Sequence, residues 1–178
     1  MHERLLHSPK VTVWCAICKV GVIGPYFFDE NRITRTVNSA SYVDMINNFL
    51  KPELRSRRNN NQNVWFQQDG ATAHTARAAM AVVRAMFPDR LISRCGDVPW
   101  PPRSPNLSMC DFFLWGYLKS RVCEGKPRTL EELKGAIHKQ IGMINQVLLE
   151  RVEANFRERL QTFILQNGCH LIDIIFRT

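Results

Sequence analysis

Two aspartates offer the chemistry most directly open to this sequence. Asp69 stands in Phe66-Gln-Gln-Asp69-Gly-Ala-Thr-Ala-His74, and Asp111 in Ser104-Pro-Asn-Leu-Ser-Met-Cys-Asp111-Phe-Phe-Leu-Trp115. An acid at the carboxyl end of a short buried strand, followed by glycine, occupies the place where α/β sheets put ligand-binding groups. Gly70 would let the backbone turn there without a side chain crowding the site. The alternative is a plain strand-to-helix turn in which Asp69 binds nearby amides. Asp111 falls on the first turns of a helix among Cys110, Phe112 and Phe113, so it either faces solvent or serves a polar site that the fold assembles. A strand-end and a helix-start carboxylate can together hold Mg2+ or Mn2+ through oxygen. Pairs of aspartates are common, and this spacing alone is not distinctive.

Other side chains carry weaker signals. His74 could touch a substrate phosphate or a metal-bound water, or could simply belong to the start of a helix. Arg55, Arg57 and Arg58 cluster, as do Lys119, Arg121, Lys126 and Arg128, and Arg103 lies in the proline-rich stretch between them. Such groups can follow a DNA backbone or can form solvated faces. Trp14-Cys15-Ala-Ile-Cys18 has the form of a redox motif, but a working one needs its first thiol at a helix N-terminus. Here both cysteines fall in or at the end of a predicted strand, so the reading is buried strand residues. A zinc site would need a second doublet, which Cys95, Cys110 and Cys123 do not supply. Trp65 and Trp100 read as core residues.

The chain has 178 residues, 45% of them hydrophobic and 22% charged, with a formal net charge of +8. That length suffices for one domain with a real core. The charge favours an anionic partner, nucleic acid first, although a solvated basic surface gives the same balance. Six cysteines at these spacings form no disulfide scaffold. No apolar stretch is long enough to cross a bilayer, no signal-peptide pattern opens the chain, and a reducing compartment is expected.

The elements that would position these residues follow from periodicity and punctuation. Residues 1–10 read as an unanchored tail. Val11–Ile17 and Val22–Phe28 read as a hairpin, with Gly24-Pro25 marking a bulge or edge. A helix capped by Ser39 or Ser41 carries Tyr42, Met45, Ile46, Phe49 and Leu50 at helical spacing. A polar basic loop, Arg55–Asn63, leads to a strand Val64–Gln68, then a helix Thr75–Phe87 stopped by Pro88. Leu91–Arg94 is a short strand, and Pro99–Pro105 cannot be regular structure. Asn106 caps the next helix. Thr129-Leu-Glu-Glu132 has the form of a capping box opening a helix through Ile144. A second amphipathic run, Leu149 to Phe163, is closed by Asn167-Gly168 and followed by an apolar tail, His170–Phe176. The order is that of a mixed α/β domain.

The strings VWFQQDGATAHTARAAM, LISRCGDVPWPPRSPNL and CDFFLWGYLKSRV, in this order, closely resemble the catalytic domain of mariner-type transposases. The likeness runs from about Lys10 to the C-terminus and includes NFRERLQ and HLIDIIF. It implies a ribonuclease-H-like fold, an acidic triad binding two Mg2+ or Mn2+ ions, DNA strand cleavage and transfer, and a nuclear location. Asp69 matches the second acid and Asp111 the third, with Gly70, His74 and Asn106 as neighbours of the site. The family's first acid lies on a strand preceding the hairpin, and Glu3 in residues 1–10 does not resemble it. Asp29-Glu30 is a poor substitute. The family's usual Asp and Pro stand here as Asn106 and Met109.

The resemblance therefore implies an incomplete ribonuclease-H-like α/β fold lacking its first, central strand, with C-terminal helices. Residues 11–178 would be the partial catalytic domain and 129–178 its helical part. Edges of Val11–Ile17 and Val64–Gln68 would be left either gapped or directly paired. The expected partner is DNA, bound without sequence preference because no helix-turn-helix module is present. The resemblance leaves room for a homodimer, and no membrane is involved. Strand transfer by this fragment alone is not expected. The alternative function is a non-catalytic nucleic-acid-binding or protein-interaction module derived from a transposase.

Overall fold

β-Branched and aromatic residues favour extended chain, and the first such run forms β1 (Val13–Cys18). A turn at Lys19-Val20 joins it to β2 (Gly21–Phe27), and the two make a two-stranded sheet. The irregularity expected at Gly24-Pro25 is a cis peptide, with Gly24 at φ 116. The computed structural model describes residues 10–30, 33–57, 63–100 and 104–166. The expected tail with Glu3, the stop at Asn167-Gly168 and the segment His170–Phe176 lie outside those residues. So do Arg58 and Arg103. A short antiparallel pair that the sequence did not suggest follows the hairpin, β3 (Asp29–Glu30) with β4 (Ile33–Thr34).

Asn38, rather than Ser39 or Ser41, caps α1 (Ser39–Met45). A cap needs extended backbone and a side-chain acceptor. Asn38 has both, with φ −114 and ψ 176, and its Oδ1 accepts the Ser41 N–H at 2.9 Å. The Ser41 hydroxyl accepts the Asn38 N–H in return, at 3.0 Å. The chain continues through a π-helical turn, Ile46–Leu50, into α2 (Lys51–Ser56). Pro52 has no N–H, and its ring would crowd the carbonyl four residues back. The widened turn just before it accommodates both. Arg55 is therefore helical and not part of a loop. The stripe Tyr42, Met45, Ile46 and Leu50 is buried as its spacing requires.

A three-stranded sheet of order β5-β6-β7 follows, with β5 (Phe66–Gln67), β6 (Leu91–Ser93) and β7 (Val98–Pro99) all parallel. Strand β5 is shorter than the expected Val64–Gln68. Trp65, expected in the core, is 48% exposed. The helix between β5 and β6 is broken in two, α3 (Thr72–Thr75) and α4 (Arg77–Met86), because Ala76 takes extended backbone, ψ 143. It ends at Phe87, whose backbone leaves the helical region as a residue before proline must. Pro99, expected to be irregular, sits on an edge strand where its missing N–H costs no ladder bond. Leu91 and Ser93 on the central strand are fully buried. Among the described residues, no strand of this sheet is paired with β1 or β2.

The rest of the chain is helical. A 3-10 turn at Pro105–Leu107 precedes a second π-helical turn, Cys110–Leu114, which runs into α5 (Trp115–Glu124). Asn106 lies within the 3-10 turn and does not cap this helix. The Ser108 carbonyl instead accepts the Asp111 and Phe112 N–H groups, each at 3.0 Å. Thr129 caps α6 (Leu130–Gly142), accepting the Glu132 N–H at 3.1 Å. The Glu132 carboxylate reaches back to the Arg128 N–H at 2.7 Å, one residue earlier than the usual reciprocal bond. The run of apolar residues extends to Ile144, but the helix closes at Gly142. Asn145 then caps α7 (Gln146–Leu165), accepting the Leu148 N–H. Leu114, Leu118, Val122, Ile137, Leu149 and Val152 are buried.

By contact density the chain divides into two compact units. Of the described residues, one holds 12–14 and those between 26 and 100, the other 10–11, 15–25 and 104–166. Among the described residues, no helix is long and apolar enough to cross a membrane.

Candidate functional site

Asp69 leaves the carboxyl end of β5, and what fixes it is the residue before it. Strand alternation points Gln68 inward, where it is 6% exposed and its amide is fully engaged. Its Oε1 accepts the Tyr42 hydroxyl at 2.9 Å. Its Nε2 faces the His74 carbonyl at 3.2 Å and both Met80 Sδ and Ser93 Oγ at 3.3 Å. The Gln68 N–H donates to the Ile92 carbonyl on β6 at 3.0 Å. Helix α1, the two helices after β5, and β6 thus meet on one buried side chain. Asp69 then turns to the surface, its side chain 58% exposed.

There Oδ1 of Asp69 accepts two bonds, from the Ala71 N–H at 3.1 Å and from Nδ1 of His74 at 2.5 Å. A carboxylate only accepts, so the facing ring nitrogen carries a hydrogen. The His74 ring lies on the Tyr42 ring, centroids 4.2 Å apart. The bond from His74 holds the Asp69 carboxyl below its ordinary value; partial burial opposes this, and the Ala71 amide and the imidazole's charge assist. A carboxyl lowered in this way favours the folded state above its unfolded pKa and loses that contribution as pH falls through the lowered value. Replacing His74 with alanine should therefore move the Asp69 carboxyl upward in a carbon-13 NMR titration. An unchanged titration would mean that the imidazole is not the cause. The sequence left Asp69 between a ligand site and an amide-binding turn, and the amide bond to Ala71 is present.

The space beside Gly70 is open to the protein itself. A Cβ built there would meet only Arg94 Cδ, at an ordinary 3.8 Å, so within this unit nothing demands a glycine.

In the other unit, Asp111 is exposed on the π-helical turn. Its neighbours anchor the turn. Leu114 is fully buried, Phe113 stacks on Tyr117 at 5.5 Å, and the Arg159 guanidinium lies over the Phe112 ring at 4.4 Å. Arg159, only 8% exposed, donates to Asn155 Oδ1 at 2.6 Å and to the Asn106 carbonyl at 3.4 Å. Asn106 is thereby tied to α7 through its backbone. Sequence reasoning passed over Arg159, yet it shares helical spacing with Val152, Phe156 and Phe163. A cation on an apolar stripe was the available signal.

The basic residues divide. Arg55 is exposed on α2 and borders a groove. Arg57 pairs with Glu53 at 3.7 Å. Arg121 pairs with Glu124 at 3.8 Å and sits over the Tyr117 ring. Lys119 is exposed midway along α5, and Lys126 and Arg128 are exposed in the turn after it. Cys15 and Cys18 lie in β1 as expected. Burial, helped by Cys110, pushes the Cys15 thiol up to about 12, the opposite of a redox-active thiol.

Asp69 and His74 are thus brought together, while Asp111 and Asn106 belong to the second unit. Carboxylate and imidazole donors suit Mn2+ and carboxylates suit Mg2+. Among the described residues, no three His, Cys, Asp or Glu side chains gather closely enough to hold a metal ion.

The fold has counterparts among solved structures. The crystal structure of the catalytic domain of Mos1 mariner transposase matches with a TM-score of 0.77 at 21% identity, covering 94% of this chain and 79% of that one. The Mos1 catalytic domain with raltegravir and Mn matches at 0.76 and 21%, covering 90% of this chain and 77% of that one. The Mos1 strand transfer complex matches at 0.74 and 19%, covering 96% of this chain but 47% of its own. No protein-family model matches the sequence, and no curated protein does. The chain has the mixed helix and strand fold of the mariner transposase catalytic domain.

Proposed function

We propose that this chain is a mariner-type transposase catalytic segment that binds DNA without sequence preference and, by itself, does not cut it. The observation that carries this reading is Asp69 at the carboxyl end of a parallel strand, in a fold shared with Mos1. Asp69 and Asp111 would be the second and third acids of the family's triad, and would hold Mg2+ or Mn2+. Solved Mos1 catalytic domains include forms with Mn and with Mg, and Mos1 complexes include transposon-end DNA.

When bound, such ions activate an attacking oxygen and stabilise a leaving one at phosphorus. Two dications at close range repel each other, and a carboxylate shared by both offsets that repulsion. These 178 residues contain no match to the family's first acid, which would be that shared ligand. We read residues 11–178 as a ribonuclease-H-like domain without its central strand, 129–178 being its helical end. Among the described residues the β1–β2 hairpin pairs with no strand of the β5–β6–β7 sheet, which supports this. Gly70 and His74 would flank the Asp69 ligand, with Asn106 near Asp111. Lys119, Arg121, Lys126 and Arg128 would meet the DNA backbone, and Arg57 could add to them. A nuclear location and a homodimer follow from the same likeness.

The test uses purified protein, supercoiled plasmid and Mg2+ or Mn2+. Binding should weaken steeply as salt rises, as phosphate contacts require. Asp69→Ala and Asp111→Ala should leave it unchanged, and the plasmid should remain uncut. Metal-dependent nicking abolished by Asp69→Ala would make the chain a nuclease in its own right. No binding at low salt would end the DNA reading.

A further inference from the structure

We propose that the groove between α2 and α4 is a docking site for an acidic amphipathic helix of a partner protein. It has a volume of about 580 Å³ and lies wholly within the unit that carries Asp69, yet neither Asp69 nor His74 lines it. Helix α2 presents Lys51, Leu54 and Arg55 to it, the i, i+3, i+4 face of one turn. Helix α4 presents Val82, Ala85 and Met86, with Ala81 beside them. Two roughly facing helical stripes with an aliphatic floor make the receiving half of a helix-in-groove contact. A cavity of this size suits a few anchoring side chains.

Charge and surface chemistry select the occupant. Among the described residues, every charged side chain lining the groove is basic, namely Lys51, Arg55 and Arg90. A wholly apolar ligand would strip water from these cations without replacing it. A nucleic-acid strand would satisfy the cations but waste the floor. Single-stranded bases are held by stacking on aromatic faces, and among the described residues the floor offers only Phe87. That ring is buried and already stacked on Phe66 at 4.9 Å. Apart from the three cations and the amide of Asn47, the other lining side chains are aliphatic or thioether, and Met86 adapts its shape to an inserted aliphatic residue. The stems of Lys51 and Arg55 can lie along such a helix while their charges meet its carboxylates. An apolar face flanked by Glu or Asp satisfies both halves of the groove.

The probe is a fluorescein-labelled helical peptide with Leu at i, i+3, i+4 and i+7 and Glu elsewhere, titrated with the full chain near physiological salt. Anisotropy should report saturable binding. Ala85→Glu places bulk and a charge of the peptide's own sign in the groove from a solvent-exposed helix position, and Arg55→Glu reverses a rim charge. Each should weaken binding about tenfold or more, roughly 1.4 kcal/mol, with melting temperatures unchanged. The proposal falls if the peptide does not bind, if a scrambled peptide of the same composition binds as tightly, or if both variants bind like the parent. It also falls if the two variants weaken the binding of a single-stranded oligonucleotide and spare the peptide.

Discussion

Replacing Gln68 with leucine should lower unfolding free energy by about 3 kcal/mol, on the ground that a buried polar group left without its partner costs roughly 1–3 kcal/mol. The substitution preserves volume but strands the Tyr42 hydroxyl, the Ser93 hydroxyl and the His74 carbonyl, all of which face the Gln68 amide. Ser93 is fully buried, so water cannot easily take the place of the amide. Tyr42→Phe strands Gln68 Oε1 and takes from Trp14 its bond to the same hydroxyl, so it should cost about 2 kcal/mol. Denaturant titration of both variants checks the order. If Gln68→Leu came within about 0.5 kcal/mol of the parent, as ordinary surface substitutions do, the amide would not be the hub of this unit.

Gly96→Ala should cost about 2–3 kcal/mol, the usual penalty for forcing extra volume into packed structure. Gly96 lies in the return from β6 to β7, where a Cβ would stand 2.4 Å from the Leu91 carbonyl oxygen and 2.9 Å from the Ser93 nitrogen. Both obstacles are backbone on the central strand, which cannot rotate aside as a side chain would. Leu91 is also fixed there by its N–H, which donates to Asp97 Oδ2 at 2.9 Å. The control is Gly70→Ala, where the nearest atom is the far end of a flexible arginine and no comparable loss is expected. Equal thermal melting of the two variants would show that the β6–β7 return relaxes more readily than this geometry implies.

The contrast between these glycines shows what the sequence could convey. Gly70 follows an acid at a strand end, a pattern that suggests a steric need, yet the space there is open. Gly96 carries no such pattern, and its constraint comes from a chain return that only the folded backbone defines. Elements governed by local rules were legible. The stripe Tyr42 to Leu50, the stop at Pro88 and the cap at Thr129 each depend on a few neighbouring residues. The choice of Asn38 over Ser39 or Ser41 was not legible, because all three side chains can cap and the backbone dihedrals decide. Asn106 was misread for a similar reason, since Pro105 begins a 3-10 turn that carries Asn106 inside it. Asp69 and His74 could be named from the sequence, but their bond, and the Tyr42–Gln68–Ser93 hub beneath it, join residues brought together only by tertiary packing. Arg159 reads as a solvated charge until α7 is seen to turn it toward Phe112.

The wide turn at Cys110–Leu114 has a consequence for how length changes in this region act. There the Trp115 N–H reaches the Cys110 carbonyl five residues back, so the coil holds one residue more than an ordinary turn would. Each residue of an ordinary helix advances the wheel by roughly 100°. A chain shorter by one residue at this point could still coil without interruption, and Leu118 and Val122 would keep their inward phase. The upstream carboxylate at position 111 would swing about a quarter turn around the axis. Its aim is therefore set by the count of residues in a single loop of helix, not by the identity of any one of them.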